Sequence, residues 1–257
     1  MRFSIWTLVT ILGLTIASPV ANPHLNLNAR ASIEKRQTPL NAFLTLLVQY
    51  LPDVDGTLES VLTILTNFEL LLATLTGEQT TYNELGGTCK PYTVIFARGT
   101  TEPGNVGVLV GPPFFDALIT SLGADSLTIQ GVNDYDADIA GYIAGGDAGG
   151  STEMANQISA AMAACPDTKL VASGYSQGCQ IVHNAAAQLP AATASWISRV
   201  VVFGDPDNGT AIANVDPSKV KTFCNVGDNI CLNGDLILVP HLLYGENAAA
   251  AAAFVTS

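Results

Sequence analysis

The stretch Gly174-Tyr175-Ser176-Gln177-Gly178 decides the reading of this chain. It has the form G-x-S-x-G and follows the apolar run Leu170-Val171-Ala172. A helix-compatible segment runs on from Gln177 to about Leu189. Strand, sharp turn and helix is the setting that lifts a serine oxygen clear of the backbone, as a nucleophile requires. Small residues at Gly174 and Gly178 let strand and helix approach closely at the turn. Outside such a setting the pentapeptide is only a glycine-rich turn, so the rest of the chain has to supply its partners.

Working outward, the segments Tyr92–Ala97, Ser126–Gln130, Lys169–Tyr175, Arg199–Phe203 and Val220–Cys224 read as strands. Loop plus helix over Asn105–Leu122, an alanine-rich helix over Ser151–Ala164 and the segment after Ser176 alternate with them. Asp134–Gly150 reads as a loop, and the tail from Leu242 through the Ala248–Ala253 run as a closing helix. Such alternation predicts an α/β fold, a parallel sheet with helices on both faces. Reactive groups in that fold gather at the carboxyl ends of the strands.

The N-terminal part is organised differently. Arg2, the apolar Phe3–Ile16 and the small residues of Ala17-Ser18-Pro19-Val20-Ala21 read as a signal peptide over 1–17. A polar segment, 18–36, ends at the dibasic Lys35-Arg36 and reads as a pro-peptide, so the mature chain should begin near Gln37. The apolar stretch is too short for a membrane anchor. Residues 37–80 read as an amphipathic helical hairpin. Leu40, Phe43, Leu44, Leu47, Val48 and Leu51 form the first stripe, and Pro52 ends it. Leu58, Val61, Leu62, Leu65, Phe68, Leu72 and Leu75 form the second, widened by Ile64, Leu70 and Leu71. This is more apolar surface than a solvent-facing pair needs. It either packs onto the main domain, at 89–257, or covers something or seeks an interface. Residues 76–88 are polar and read as a linker.

The 257 residues suit one mid-sized domain beyond these segments, with 48% hydrophobic and 12% charged residues. A net charge of −12 without a basic stripe argues against nucleic acid as a partner. A monomer is expected, with no integral-membrane partner. Five cysteines allow at most two bridges. Cys224 and Cys231 enclose a turn and are the easiest pair. Cys89 and Cys165 each precede a strand and could meet at one end of the sheet. Cys179, in the helix after the elbow, is then a small buried hydrophobe.

A serine nucleophile needs a base, usually histidine. Of the three histidines, His24 lies in the pro-segment. His183 sits two turns beyond the serine on the same helix and points away from it, a packed or surface residue. Elimination leaves His241, just after Leu236-Ile237-Leu238-Val239-Pro240. The acid that orients it is Asp228, inside the short Cys224–Cys231 loop, with Asp205 its rival and Asp207 and Asp235 further candidates. An oxyanion hole needs two donors. The N–H of Gln177 is one, and Thr100, after the first strand, offers an N–H and a hydroxyl. No metal set and no phosphate-binding glycine loop is read, so no cofactor is expected.

Phe96-Ala97-Arg98-Gly99-Thr100-Thr101-Glu102 with Gly104-Asn105, Gly174-Tyr175-Ser176-Gln177-Gly178, Cys224 through Gly227-Asp228 to Cys231, and Pro240-His241 resemble the fungal cutinase family. The resemblance runs from about Cys89 to the C-terminus. It implies a small α/β-hydrolase, a three-layer sandwich around a five-stranded parallel sheet, without a large lid. It implies bridges Cys89–Cys165 and Cys224–Cys231. It implies Ser176 as nucleophile, Asp228 as acid partner, His241 as base, and Thr100 and Gln177 as oxyanion hole. Many cutinases have serine where this chain has Thr100, which keeps the hydroxyl with a more restricted rotamer. The helices before residue 76 lie outside the common domain.

The implied activity is secreted hydrolysis of cutin, a polyester of hydroxy fatty acids, or of similar esters. Leu236, Ile237, Leu238 and Val239 would form an acyl-binding wall, and the Ile143 region could also grip the chain. An acetylxylan esterase or a short-chain, lipase-like esterase is the alternative within enzymes. A catalytically idle binder of waxy surfaces is the alternative outside them, disfavoured because every triad residue is present. Asn208-Gly209-Thr210 is an N-glycosylation sequon.

Overall fold

The computed structural model describes residues 56–257; the expected signal peptide, pro-peptide and first helix of the hairpin lie outside them. The described chain starts with β1 (Gly56–Thr57) and α1 (Leu58–Thr76). Then come β2 (Tyr92–Ala97), α2 (Gly111–Leu122), β3 (Leu127–Gly131), α3 (Ile139–Ile143) and α4 (Ala148–Ala164). The elbow lies between β4 (Lys169–Tyr175) and α5 (Gln177–Gln188), followed by α6 (Ala191–Trp196), β5 (Arg199–Phe203) and β6 (Val220–Phe223). β7 (Leu236–Ile237), the helical turn α7 (Val239–Leu242) and α8 (Ala248–Thr256) close the chain.

Five strands form one parallel sheet in the order β3-β2-β4-β5-β6. β2 to β5 are buried on both faces, with successive residues serving opposite cores, while the edge strand β6 is only half-buried. Val94, Phe96, Val171, Val201 and Phe203 pack toward Phe114, Leu118 and Ala251 of α2 and α8. Ile95, Ala97, Ala172, Val200 and Val202 pack toward Met154, Ile158, Ile181 and Val182 of α4 and α5. The strand order turns back on itself at β2, whose neighbours are β3 and β4. That is the switch point at which α/β sheets bind ligands.

Cys89 and Cys165 are bridged with Cα atoms 5.5 Å apart, tying the chain ahead of β2 to the chain ahead of β4. The bridge closes a separation of 76 residues, for which loss of chain entropy in the unfolded state is worth about 4 kcal/mol. Cys224 and Cys231 form the second bridge. Cys179 is free and buried, its thiol on the carbonyls of Gly174 and Phe203.

Two segments depart from the sequence reading. Residues 76–88 do not merely link. Gly131 N–H bonds Tyr82 O, Glu84 N–H bonds Ile129 O, and Ile129 N–H bonds the Glu84 carboxylate. The segment thus occupies the free edge of β3, where unpaired backbone would otherwise invite aggregation. The loop 134–150 contains α3 and the start of α4, capped by Asp138 on Gly141 N–H and Asp147 on Gly150 N–H.

The second expected helix exists as α1 and packs onto the domain. Leu65, Phe68 and Leu72 are buried in the same core as Ile237, while Ile64, Leu70, Leu71 and Leu75 stay exposed. β1 pairs antiparallel with β7, Gly56 opposite Ile237 and Thr57 opposite Leu236.

Candidate active site

Ser176 sits at the N-terminus of α5 with φ 54° and ψ −123°, a strained conformation for a residue with a side chain. The glycines around it are required by space. A Cβ on Gly174 would meet the Gly178 carbonyl, and one on Gly178 would meet the Ala97 carbonyl of β2. The turn is locked by Ser176 N–H to Phe203 O at 2.9 Å.

His241, on α7, reaches the serine. Its Nε2 lies 3.0 Å from Ser176 Oγ and its Nδ1 2.9 Å from Asp228 Oδ2. With the carboxylate accepting, Nδ1 carries the proton and Nε2 is left to accept from the serine hydroxyl. Gly204 permits this approach: it has φ +60°, and a Cβ there would press on the imidazole. All three residues are buried, Ser176 being 5% exposed.

Asp228 is fixed by more than its disulfide loop. Tyr244 OH donates to Oδ2 at 2.5 Å and Ile230 N–H to Oδ1 at 2.9 Å. Burial by itself would raise its pKa. The bond and charge of His241, the Tyr244 hydroxyl and the Ile230 N–H outweigh that and hold it below the ordinary carboxylate value. Tyr244 in turn accepts from Asn225 N–H. Tyr175 donates to His241 O at 2.9 Å and lays its ring against the imidazole, centroids 5.2 Å apart. Neither tyrosine stands out in the sequence as a site residue. Tyr175 stood as an x in the elbow motif, and Tyr244 is the lone hydroxyl in an apolar segment three residues after His241.

The expected oxyanion residues come together. Thr100 is buried after β2, and Gln177 Nε2 donates to its Oγ1 at 3.0 Å and to Asp138 O at 2.7 Å. The hydroxyl oxygen is thereby occupied as an acceptor and its proton is left to point elsewhere. Below Thr100, Glu102 is buried and its carboxylate accepts from the N–H groups of Gly99, Val108 and Leu109. Burial pushes its pKa up while those N–H groups pull it down. Arg98 donates from Nε to Glu102 O and from Nη2 to Asp136 O.

The rival acid, Asp205, is engaged elsewhere. His183 Nε2 lies 3.0 Å from Asp205 Oδ2, and Asp207 N–H donates to Asp205 Oδ1. Ligand atoms of His183, Asp205 and Asp207 fall within 4.8 Å of one another, a grouping the separate positions in sequence did not suggest. Of the four wall residues, Leu236 is exposed and Leu238 and Val239 are half-buried, but Ile237 turns inward and belongs to the core. Alternation along β7 accounts for this. Ile143 stands exposed on α3.

The cutinase family model matches residues 88–257. This chain belongs to the cutinase family. A cutinase of Botryotinia fuckeliana is 55% identical over 167 residues, 65% of this chain and 82% of that protein. The solved Trichoderma reesei cutinase in complex with a phosphonate inhibitor is 47% identical with a TM-score of 0.70, over 84% of this chain and 96% of that one. A solved acetylxylan esterase is more distant, at 25% identity and a TM-score of 0.53 over 66% of this chain and 98% of that one. Membership makes the protein a carboxylic ester hydrolase. Among the described residues no helix is long and apolar enough to cross a membrane.

Proposed function

We propose that this cutinase-family protein is a secreted hydrolase of cutin and related long-chain esters, in which Ser176 is the nucleophile, His241 the general base and Asp228 its orienting acid. The observation that carries the reading is the unbroken bond series from Ser176 Oγ through His241 to Asp228 at 3.0 and 2.9 Å. Ser176 attacks the ester carbonyl as His241 Nε2 takes its proton. The tetrahedral oxyanion is met by the N–H of Gln177 and by Thr100, each such donor being worth about 3 kcal/mol in the transition state. The imidazolium returns its proton to the departing alcohol, and an acyl-enzyme remains. Water, activated by the same nitrogen, releases the acid. Asp228 stabilises the imidazolium between the two transfers.

Leu236, Leu238, Val239 and Ile143 supply apolar surface for an acyl chain. The relation to an acetylxylan esterase supports a second reading, cleavage of acetyl groups from a sugar. A p-nitrophenyl ester series from acetate to long acyl chains separates the two. Turnover that extends to long chains fits the first reading, and activity confined to acetate sinks it. Ser176→Ala should abolish both turnover and labelling by a phosphonate. Equal turnover in variant and parent would reject the serine mechanism.

A further inference from the structure

The N-terminal arm meets the ester-hydrolase site at a buried carboxyl. Glu69 of α1 is only 2% exposed, on a face it shares with Leu65, Phe68 and Leu72. Its Oε2 accepts from Thr101 Oγ1 at 2.9 Å. A buried carboxyl on a packing face is costly without a purpose-made partner. Here that partner is the residue next to Thr100.

Thr101 itself is unusual. It has φ +71°, and of the six described non-glycine residues with positive φ it alone is β-branched. Such residues occupy that region only when their surroundings hold them there. Two bonds do so. Thr101 N–H donates to Ala137 O at 2.8 Å, and Thr101 Oγ1 donates to Glu69. The residue after Ala137, Asp138, accepts from the Gln177 side chain, which also holds Thr100 Oγ1. A closed circuit therefore runs from Thr100 through Gln177 and the 137–138 backbone to Thr101. Glu69 is its attachment outside the α/β domain.

We infer that Glu69 is a positioning residue for ester hydrolysis: by accepting the Thr101 hydroxyl it keeps Thr101 left-handed and so sets where Thr100 presents its donors to the oxyanion. The inference rests on Thr100 serving as an oxyanion donor. Arg98 and Glu102 brace the loop from the core side, and Glu69 braces it from the arm. An arm that merely packed would need only its leucines and Phe68.

The test is a double-mutant cycle read as kcat and KM on a soluble p-nitrophenyl ester, with melting temperatures alongside. Thr101→Val keeps the shape and removes the hydroxyl. It should lower kcat about ten- to a hundredfold, the size of effect expected from a small displacement of a positioned group. KM should stay put, because the oxyanion exists only in the transition state. Glu69→Ala should do the same, and the pair together should cost no more than either alone. Glu69→Gln retains a carbonyl acceptor and should recover most of the rate.

Additive losses, or a loss shared equally by Glu69→Gln and Glu69→Ala, would overturn the inference. Should Glu69→Ala fail to fold, Thr101→Val and Glu69→Gln decide: parent kcat in the first, or the full loss in the second, rejects it. Ser176→Ala and phosphonate labelling are run beside them. If Ser176→Ala still turns over ester, the serine mechanism has failed. If it is inert while Glu69→Ala and Thr101→Val keep the parent kcat, only the role of Glu69 has failed.

Discussion

Among the described residues lie two buried histidine–aspartate couples that look alike in distance. His241 meets Asp228 at 2.9 Å and His183 meets Asp205 at 3.0 Å. They differ in which nitrogen is used and in what lies beyond it. His241 gives Nδ1 to its carboxylate and turns Nε2 to Ser176. His183 spends Nε2 on Asp205. Asp228 also receives a tyrosine hydroxyl and a backbone N–H, whereas Asp205 receives the Asp207 N–H. The lesson is that a short bond between imidazole and carboxylate does not make a catalytic pair. The free nitrogen must be aimed at a hydroxyl that the backbone presents.

The sharpest way to break the comparison is to remove each imidazole. His241→Ala should lower kcat on a soluble ester by about 10⁴- to 10⁶-fold, as loss of a triad base does. His183→Ala should leave kcat within a few-fold of the parent and lower the melting temperature, because Asp205 loses a buried partner. Comparable losses of kcat in both would remove the distinction.

A smaller effect separates the carboxylates. Asp228→Asn preserves shape but favours the wrong imidazole tautomer, and should cost about 10⁴ in kcat. Asp205→Asn keeps one oxygen to accept the Asp207 N–H and turns an NH2 donor toward His183 Nε2, which the other imidazole tautomer accepts, so its effect should be read mainly in stability.

The smallest effect comes from Tyr244→Phe, which deletes one donor to Asp228. Loss of a hydrogen bond to a charged group costs about 2 kcal/mol. The folded-state pKa of Asp228 is depressed. Its contribution to stability is therefore present above the ordinary carboxylate value and is lost as pH falls through the depressed one. Without the tyrosine hydroxyl that folded-state value rises, so acid unfolding of the variant should begin at higher pH. Unfolding curves at stepped pH check this, and coincident acid limbs would reject it.

Much of this was legible in the sequence because it is local. The elbow is five consecutive residues, each strand is an unbroken apolar run, and Asp228 lies inside a seven-residue cysteine spacing. His241 emerged by elimination, since so few histidines are available. The rest depends on residues distant in sequence that leave no pattern at either end. Nothing near Asp205 announces His183, and nothing near Thr101 announces Glu69. The linker's bonds along β3 come from the backbone groups of Tyr82 and Glu84 and from the Glu84 carboxylate, and a polar sequence does not say which edge such groups will meet. Ile237 was read with its neighbours as one apolar wall, and a two-residue strand was enough to turn it into the core.

The small ribbon of Gly56–Thr57 on Leu236–Ile237 has a consequence for the order of assembly. Chains are made from the N-terminus, so α1 is complete, with Leu65, Phe68 and Leu72 lacking their partners, long before β7 exists. Joining segments so far apart costs the loop-closure entropy of nearly the whole domain unless the sheet has formed first. The loop that leads to His241 thus gains its strand partner late. The strand just ahead of His241 is among the last segments of the chain to find a partner, because the earliest described residues pair with some of the last.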